Sequence, residues 1–316
     1  MSESQKIATR DAYGKALAAL ATENTRIVAL DADLSQSTKS VECAKACPER
    51  FFNVGIAEAN LISVAAGMST MGKIPFASSF AVFITGRAFE QIRNSVCYPR
   101  LNVKIAGSHA GITVGEDGGS HQAIADISLM RSLPNMTVLV PADAAATRWM
   151  VQAAAEYEGP VYLRLGRFPC PLIYEENREF KWGKGEILRM GKDIVIFACG
   201  IMTAAALEAA DLLAAEGISA AVADIHTIKP LDEEFILEMT SHCGAALTVE
   251  EHSIIGGLGS AVAEVLAGKS DAPFARCGLI DSFGQSGSPE ALLKHYGLDA
   301  ETLATRVKQV LAQKQA

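Results

Sequence analysis

One carboxylate in this chain occupies a position where it could do chemistry. Residues 53–60 read NVGIAEAN, and Glu58 stands where a short apolar run ends and an Ala-rich segment, residues 57–68, is predicted to form a helix. A glutamate in the first turn stabilises a helix by about 0.3–1 kcal/mol through the helix dipole. Glu58 therefore either caps this helix or acts on a bound molecule, and the octet by itself leaves both uses open.

Further polar side chains are predicted to lie in loops that follow strands. In open α/β sheets, ligands bind beyond the carboxyl ends of the strands, so these loops are the first place to look for a site. Besides Glu58, the candidates are Asp31, Asp33, Ser35 and Ser37 in one loop, His109, Glu116, Asp117 and His121 in another, Arg164 and Arg167 in a third, and Arg10 in the first predicted helix.

Residues 107–120 (GSHAGITVGEDGGS) form a glycine-rich loop that holds several of these groups. The loop matches neither the Walker pattern nor the G-x-G-x-x-G fingerprint of a first βα turn, so a nucleotide loop is not indicated. Its glycines are interpreted as allowing sharp turns or a close approach of backbone to a ligand. His109 and His121 flank two acids, which suits a metal site, a hydrogen-bonding set for a polyhydroxyl substrate, or structural polar groups. Spacing does not choose among the three.

Two further pairs have alternative uses. Arg164 and Arg167 lie three apart at the end of a predicted strand, so they do not share a face and at most one points at a given ligand. Phe80 and Phe83 lie three apart at a predicted helix start and would form one aromatic surface. That surface is either part of the core or a stacking platform for a planar heterocycle.

Composition limits the classes of protein to which the chain can belong. Its 316 residues suffice for two domains, and no apolar run reaches the roughly 20 residues that span a bilayer. The seven cysteines are scattered through apolar runs, which favours reduced core thiols over disulfides. A net charge of −8 without a basic cluster argues against nucleic-acid binding. No secretory signal pattern opens the chain, so we expect a cytoplasmic protein that does not bind membranes.

Short strand-like runs alternate with helical patterns along the whole chain, which predicts an α/β fold with parallel sheets covered on both faces. The alternation stops at residues 168–185, where prolines, aromatics and charges follow no period, and it resumes at residue 193. We therefore predict two doubly wound α/β domains, the second one smaller, joined by a surface linker. The predicted elements include helices at residues 39–46, 80–96, 121–131 and 144–156, and strands at residues 26–30, 101–106 and 161–165.

Five motifs follow one another in an order typical of one enzyme family. They are NVGIAEAN at 53–60, SSFAVF at 78–83, GSHAGITVGEDGGSHQ at 107–122, RSLPN at 131–135 and VPAD at 140–143. Together they resemble the pyrimidine-binding half of transketolase. Farther on, DIHTIKPLD at 224–232 and TVEEHSIIGGLGSAVAE at 248–264 resemble the C-terminal domain of the same family. The resemblance implies a pyrimidine-binding domain over residues 1–168, a linker over 169–185 and a transketolase C-terminal domain over 186–316.

The resemblance also concerns what this chain lacks. Full-length transketolases carry, ahead of these two domains, a diphosphate-binding domain whose GDG motif helps to hold Mg²⁺ and the diphosphate of the cofactor. No such motif occurs in this sequence. The chain thus resembles the C-terminal subunit of a split transketolase. This implies thiamine diphosphate as cofactor, Mg²⁺ or Ca²⁺ with ligands on a separate N-terminal subunit, an α2β2 heterotetramer, and no activity of this chain by itself.

The resemblance assigns cofactor contacts to three residues. Glu58 aligns with the glutamate that hydrogen-bonds N1′ of the thiamine aminopyrimidine, which makes it the first catalytic residue. Phe80 and Phe83 resemble the aromatic residues that pack on the aminopyrimidine. The third aromatic residue of the family falls near Gly86 here, so this chain departs from the family pattern at that end of the pocket.

The resemblance assigns substrate contacts to six residues. His109, Asp117 and His121 resemble the residues that bind the hydroxyls and the carbonyl oxygen of the sugar, and the two histidines are also expected to be catalytic. Arg10, Ser37 and Arg167 match the positions that hold the substrate phosphate. An ungapped count from Pro160 selects Arg167 over Arg164, and the sequence leaves open whether Arg164 also contacts substrate. A guanidinium suits a phosphate because it donates two parallel hydrogen bonds.

The resemblance implies a transferase of carbohydrate metabolism that moves a two-carbon glycolaldehyde unit from a ketose phosphate to an aldose phosphate, as in the pentose phosphate reactions. Two alternatives remain at this stage. One is the β subunit of a 2-oxo acid dehydrogenase, which shares the architecture and the glutamate but not the GEDGxxHQ pattern. The other is a non-catalytic assembly subunit, and the presence of Glu58, His109, His121 and Arg167 argues against it. A sulfosugar donor also stays open.

Overall fold

The first part of the chain alternates strands and helices around one large sheet. A computed structural model describes residues 6–314. The strands of this part are β1 (Lys6–Ile7), β2 (Ile27–Asp31), β3 (Phe51–Asn53), β4 (Ile74–Phe80), β5 (Lys104–Ser108), β6 (Thr137–Leu139), β7 (Val161–Arg164) and β8 (Cys170–Pro171). The α-helices are α1 (Thr9–Glu23), α2 (Ser35–Thr38), α3 (Val41–Ala46), α4 (Glu58–Thr70), α5 (Ala81–Arg87), α6 (Phe89–Gln91), α7 (Asp126–Ser132) and α8 (Ala144–Glu156). Pro48–Arg50 and Ile112–Asp117 form 3₁₀ turns, and Ile92–Cys97 forms a π-helix.

The second part repeats the pattern around a smaller sheet. Its strands are β9 (Glu186–Arg189), β10 (Ile194–Ala198), β11 (Ala220–Asp224), β12 (Thr227–Lys229), β13 (Ala246–Ser253) and β14 (Phe274–Leu279). Its helices are α9 (Met202–Ala215), α10 (Glu233–Cys243), α11 (Leu258–Leu266), α12 (Pro289–His295) and α13 (Ala300–Lys314).

Both sheets are parallel except at one edge. The larger has seven strands in the order β12-β6-β7-β5-β4-β2-β3, and only β12 runs antiparallel to its neighbour. The smaller has five strands in the order β14-β13-β10-β11-β9, and β9 is its antiparallel edge. The predicted fold class, two doubly wound α/β domains with the larger one first, is confirmed.

The central strands are buried along their whole length, as strands covered by helices on both faces must be. All residues of β2, β4, β5, β10 and β11 are buried. Because ladder hydrogen bonds and flanking helices leave no open face there, functional side chains can reach solvent only at the strand ends.

Strands from beyond the predicted domain boundary pair with strands of the first part of the chain. Strand β12 lies well beyond the predicted boundary at residues 169–185, yet it extends the first sheet by pairing with β6. In the other direction, β8 returns from the linker region to pair with β1 near the amino terminus. The second part is therefore bonded to the first by backbone hydrogen bonds, and the predicted boundaries stay a prediction.

Two predicted helices differ from the structure. The helix predicted over residues 80–96 is divided into α5, α6 and the π-helix Ile92–Cys97. The helix predicted over residues 121–131 begins only at Asp126, because the preceding residues form turns against the glycine-rich loop. The predicted helix at 144–156 matches α8, whose first turn is capped by Asp143 accepting a hydrogen bond from the Ala146 amide at 2.8 Å.

The seven cysteines are all buried, unpaired thiols in the described part of the chain. Burial raises the pKa of six of them, those of Cys43, Cys97, Cys170, Cys199, Cys243 and Cys277. Such thiols pack as small apolar side chains. Among the helices within residues 6–314, none has the length and apolarity needed to cross a bilayer.

Candidate active site

Glu58 is a buried carboxylate held by an arginine. It is the first residue of α4 and only 4% exposed, and its Oε1 accepts a hydrogen bond from Arg87 Nη1 at 2.9 Å. Within the described residues this is the only side-chain hydrogen bond that Glu58 makes. The carboxylate therefore pairs with α5. Glu58 makes no side-chain cap hydrogen bond, but it lies in the first turn of α4, where the helix dipole favours an acid, so both predicted uses stay open.

Arg87 links Glu58 to the aromatic pair. Its guanidinium carbon lies 4.1 Å from the centroid of the Phe83 ring, while the same group is bonded to Glu58. The Arg87 side chain is 51% exposed, so it covers the buried carboxylate from the solvent side. A planar cation thus stacks on Phe83 and donates to Glu58, an arrangement in which cation–π attraction and an ion pair act together.

Phe80 and Phe83 form the predicted aromatic surface. Their ring centroids lie 5.7 Å apart with an angle of 14° between the planes. His109 stacks on Phe80 with centroids 3.8 Å apart, and His121 meets Phe83 edge-on at 5.3 Å. Phe80 is buried whereas Phe83 is partly exposed. The pair therefore joins the Glu58 side of the site to both predicted histidines.

Phe80 also lines a cavity of about 380 Å³. Its lining consists of Arg10, Gln36, Ser37, Phe80, His109, Asp117 and Arg167. Five loops and helix starts that are distant in sequence supply these residues, and all of them lie at the carboxyl ends of strands in the larger sheet or at the start of α1. The structure thus brings the six predicted substrate-binding residues and the three predicted cofactor-binding residues into one connected region, with His121 and Phe80 between its two parts.

His109 is a neutral imidazole with both nitrogens engaged. Arg10 Nη1 lies 2.9 Å from Nε2, and Ser108 Oγ lies 2.9 Å from Nδ1. Since a guanidinium can only donate, Nε2 accepts and Nδ1 carries the proton that is donated to Ser108. Burial, reinforced by the charges of Arg10 and Arg167, lowers the pKa of His109 to about 3. His109 is predicted to contact substrate directly, and this stays a prediction; in this structure its two ring nitrogens are hydrogen-bonded to Arg10 and Ser108.

The predicted phosphate ligands supply two cations to the cavity. Arg10 Nη1 also donates to the Ser37 carbonyl at 3.0 Å, so Ser37 contributes its backbone oxygen to Arg10. Arg167 Nη1 donates to the Val114 carbonyl at 3.0 Å and to Asp117 Oδ2 at 3.1 Å. Burial lowers the pKa of Arg10, and the charge of Arg167 adds to this effect. Arg10 and Arg167 bring two positive charges close to one negative charge, that of Asp117. A bound anion would balance the remaining positive charge, so the cavity favours an anion.

Arg164 has a different environment from Arg167. It is 6% exposed and its Nε donates to Asp126 Oδ2 at 2.8 Å, while Tyr162 donates to the same carboxylate oxygen at 2.7 Å. Burial by itself would lower the pKa of Arg164, but Asp126 raises it above its ordinary value. In this structure Arg164 is thus a buried cation whose hydrogen bonds go to protein groups.

His121 differs from His109 in its accessibility. Its Nδ1 lies 3.0 Å from Ser120 Oγ, and within residues 6–314 its Nε2 has no hydrogen-bond partner. The side chain is only partly buried, beside Phe83. His121 can thus present Nε2 to a molecule bound between the aromatic pair and the cavity.

Sequence reasoning missed Arg87, Gln36 and Ser108. Arg87 follows Phe80 and Phe83 at helical spacing, and this periodicity was the available signal for a shared face. Gln36 and Ser108 adjoin predicted residues, but nothing in the sequence separated them from their neighbours. No group of three or more His, Cys, Asp or Glu side chains able to hold a metal ion occurs in the part of the chain that the structure describes.

The sequence matches two family models over most of its length. Residues 5–169 match "Transketolase, pyrimidine binding domain", and residues 183–303 match "Transketolase, C-terminal domain". Among solved structures, a chain of "Split gene transketolase, inactive beta4 tetramer" superposes with a TM-score of 0.91 at 59% identity, covering 98% of this chain and 99% of that one. The R525L mutant of transketolase from Pichia stipitis, at 23% identity, has the same fold with a TM-score of 0.81 over 46% of its length.

Curated relatives agree with the family models. A transketolase C-terminal section from Methanocaldococcus jannaschii is 50% identical over 95% of both chains. The 6-deoxy-6-sulfo-D-fructose transketolase subunit SqwH from Clostridium sp. is 45% identical over 96% of this chain and 95% of the relative. Human transketolase is 39% identical over 97% of this chain, which spans 49% of the human protein. The chain belongs to the transketolase family, of which it contains the pyrimidine-binding and C-terminal domains.

Proposed function

We propose that this chain is one subunit of a two-chain transketolase, which moves a two-carbon glycolaldehyde unit from a ketose phosphate to an aldose phosphate. In this reaction the C2–C3 bond of the donor breaks and a new bond forms to C1 of the acceptor aldehyde. The donor C3 hydroxyl gives up a proton and the acceptor oxygen gains one, so nothing is oxidised overall. The family's enzymes depend on thiamine diphosphate, and we propose the same cofactor here.

The observation that carries the proposal is the juxtaposition of an anion pocket with a carboxylate beside an aromatic surface. Arg10 and Arg167 line the cavity together with Phe80, Phe80 stacks on Phe83, and Arg87 joins Phe83 to Glu58. A phosphorylated sugar needs an anion site at one end and a catalytic centre at the other. The β subunit of a 2-oxo acid dehydrogenase acts on an unphosphorylated acid and has no need of two convergent arginines.

The residues around Glu58 fit the aminopyrimidine of thiamine diphosphate. In this structure the Arg87 guanidinium, a planar cation, stacks on Phe83 and donates to Glu58. A protonated aminopyrimidine is likewise planar and needs an aromatic face and a carboxylate partner. Glu58, Phe80 and Phe83 would therefore hold this ring. When bound, the cofactor supplies a nucleophilic carbon and an electron sink for the cleavage of the carbon–carbon bond.

The side chains of this chain then have separate tasks. Glu58 holds a proton at N1′ of the aminopyrimidine, as general acid–base chemistry at that ring requires. His121 offers Nε2 to the donor carbonyl oxygen, where charge develops. Asp117 accepts from a sugar hydroxyl, Arg10 and Arg167 bind the phosphate, and His109 orients Arg10.

A separate diphosphate-binding chain completes the proposed enzyme. The structural relative described as a split-gene transketolase forms an inactive β4 tetramer, which supports the view that such a chain needs a partner. We propose an N-terminal transketolase subunit that carries the Mg²⁺ or Ca²⁺ ligands, in an α2β2 assembly in the cytoplasm. A non-catalytic assembly subunit would have no use for the convergent polar groups described above.

The proposal is tested by reconstitution. This chain would be combined with the polypeptide that co-purifies with it, thiamine diphosphate and Mg²⁺, and assayed with xylulose 5-phosphate and ribose 5-phosphate. We expect turnover only when both chains are present. Pyruvate with an artificial electron acceptor is the matched control, and turnover of pyruvate without turnover of the sugars would contradict the proposal.

A second donor class is favoured by one relative. The subunit SqwH, 45% identical to this chain, is described as acting on 6-deoxy-6-sulfo-D-fructose. A sulfonate and a phosphate share tetrahedral geometry and negative charge, so Arg10 and Arg167 suit both. Comparing kcat/KM for fructose 6-phosphate and 6-deoxy-6-sulfofructose in the reconstituted enzyme would decide between the two donors.

A further inference from the structure

Residues 111–122, which include Asp117 and His121, contact the second domain at several positions. The 3₁₀ turn of this loop, Ile112–Asp117, packs directly on α12, and the start of the loop touches the end of β13. Residues 111–115 are buried although they belong to a loop between two first-domain elements. Connecting segments usually run over the protein surface and are more mobile than helices and strands, so the burial of this one reflects its contacts with the second domain.

Glu251 makes the first of these contacts. It lies in β13 of the second domain, and its Oε1 accepts the Thr113 amide at 2.5 Å across 138 positions of sequence. A Cβ at Gly111 would overlap the Glu251 carboxyl group, so only glycine permits the backbone to lie against it. Burial raises the pKa of Glu251 to about 7, partly offset by Arg164. The backbone of β13 adds a bond from the Ser253 amide to the Ile124 carbonyl at 2.9 Å.

The segment 284–287, which connects β14 to α12, makes the second contact. Gln122 Nε2 donates to the Gln285 carbonyl at 2.9 Å. A Cβ added to Gly119 would lie 2.5 Å from the Gly284 carbonyl oxygen, closer than real Cβ atoms approach. The two backbones therefore lie close together, and the second domain leaves no room for a side chain at Gly118 or Gly119.

The base of the loop is fixed by the buried Arg164 network. Arg164 Nη2 donates to the Glu251 carbonyl at 2.9 Å and to the Ala123 carbonyl at 3.3 Å, while its Nε binds Asp126. One guanidinium thus joins the end of β7, the end of the loop and β13. Because buried charged hydrogen bonds are costly to leave unmade, this junction resists separation of the domains.

We propose that the second domain positions the substrate-binding loop, with Glu251 and segment 284–287 holding residues 111–122 in the conformation that directs Asp117 and His121 toward the site. Glu251 is a positioning residue in this view and touches neither substrate nor cofactor. The effect on substrate rests on the function proposed above, whereas the effect on loop order does not depend on it.

Two measurements on the intact chain and on the reconstituted enzyme test this proposal. In Glu251→Ala, hydrogen–deuterium exchange at amides 111–122 should accelerate about tenfold or more, since the Thr113 amide loses its acceptor. Glu251→Gln keeps an acceptor oxygen and should restore protection. In the two-chain enzyme, Glu251→Ala should raise the KM for the ketose phosphate about tenfold with a smaller change in kcat, and leave the Kd for thiamine diphosphate unchanged.

Glu250→Ala is the matched control. Glu250 is the neighbouring buried glutamate of β13, but it accepts the Leu258 and Gly259 amides at 2.7 Å and so serves α11 within its own domain. Its loss should accelerate exchange in α11 and leave residues 111–122 protected. If both glutamate variants loosen the loop equally, or if Glu251→Ala leaves it as protected as the wild type, the proposal is wrong.

Gly284→Ala tests the contact of segment 284–287 with the loop. It also replaces Glu251→Ala in the test if that variant does not fold. Its Cβ would overlap Gln122 Oε1, and it lies in a largely exposed segment outside the core. We expect faster exchange at 118–122 and the same rise in KM. Unchanged exchange in this variant would also overturn the proposal. A reconstituted wild type without transketolase activity would refute the proposed function, while the exchange data would still decide the role of Glu251.

Discussion

The carboxyl ends of the two sheets use charged residues in opposite ways. At the larger sheet, Arg10 and Arg167 line an open cavity, and Arg87 covers Glu58 from the solvent side. At the smaller sheet, Glu250 accepts two backbone amides of its own domain, and Glu251 accepts the Thr113 amide of the first domain. Charged groups at both edges have protein partners, but they differ in exposure. The Arg87 and Arg167 side chains are 51% and 38% exposed, whereas Glu250 and Glu251 are buried.

The third carboxylate of the smaller sheet follows the same rule. Asp224, at the end of β11, accepts from the Tyr174 hydroxyl at 2.8 Å and is fully buried. Burial raises the pKa of Asp224 to about 7, although the hydrogen bonds from Tyr174 and Thr203 oppose this. A perturbed pKa is thus no sign of catalysis when protein groups satisfy the carboxyl group, and accessibility is the better criterion here.

The largest expected effect is a difference between Glu58, at the end of the larger sheet, and Glu250, in the smaller sheet. Glu58→Gln should lower kcat of the reconstituted enzyme about 10²- to 10⁴-fold, the usual worth of a general acid–base group, with little change in thermal stability. Glu250→Gln should instead lower the free energy of unfolding by about 1–3 kcal/mol, with kcat retained. Steady-state kinetics and urea unfolding of both variants check this. A Glu58→Gln enzyme with wild-type kcat would remove the distinction.

Arg164 and Arg167, which lie near the end of β7, allow the same comparison between a buried charge and an exposed one. Arg164→Ala leaves Asp126 buried without its cation and should destabilise the chain by about 3–5 kcal/mol. Arg167→Ala loses only a partly exposed pair, so its stability should stay near that of the wild type, while the KM for a phosphorylated sugar should rise about 10- to 100-fold. Chemical denaturation and kinetics with the two-chain enzyme measure the two effects. Equal stability losses would contradict the assignment of Arg167 to the cavity.

The lowered pKa of His109 predicts that the folded chain loses stability at acid pH. The pKa of His109 is lowered by burial to about 3 in the folded chain, against about 6.5 in an unfolded chain. The unfolded state then binds more protons between these values, so the stability that neutral His109 supplies is lost as pH falls from about 6.5 toward 3.

The variant for this prediction is His109→Asn, because asparagine tolerates the φ of 57° at this position. The variant should lose less stability than the wild type over that pH window, by up to about 5 kcal/mol in total. Urea unfolding at a series of pH values measures the difference. Parallel stability curves for the two proteins would show that His109 does not titrate in this way.

The smallest effect concerns the arginine over Glu58. In Arg87→Ala the half-exposed ion pair between Arg87 and Glu58 is lost, so Glu58 is free to bind the cofactor. Thiamine diphosphate should therefore bind more tightly, by no more than about fivefold, as expected for an ion pair that contributes about 0–1 kcal/mol. Calorimetry of the two-chain complex measures the Kd. Arg93→Ala, which breaks an exposed pair with Glu90, is the control and should change nothing. Weaker binding by Arg87→Ala would mean that Arg87 helps to hold the cofactor.

Much of the fold and of the site was predictable because the signals are local. The buried strands are visible in the sequence as short apolar runs. Helix α8 begins and ends at the residues that its apolar pattern and its Asp143 cap predict. Phe80 and Phe83 stack because their spacing places them on one face. The nine residues selected by motif and resemblance do meet in one region, since loops after parallel strands share an edge.

Other features were decided by contacts that no local pattern encodes. The predicted helix at residues 80–96 is interrupted by a π-helix, and the one predicted at 121–131 is shortened by the glycine-rich loop. The addition of β12 to the first sheet and the contact between His109 and Arg10 both join residues that are far apart in sequence.

Arg164 and Arg167 show the limit most clearly. The sequence by itself determined two α/β domains, the family, and a cluster of polar groups at the end of one sheet, because these follow from periodicity and motif order. Only the tertiary structure decided that Arg164 is enclosed with Asp126 and Glu251 while Arg167 faces the cavity. The physical reason is that the fate of a charge depends on which groups the fold brings to it and on whether water can reach it.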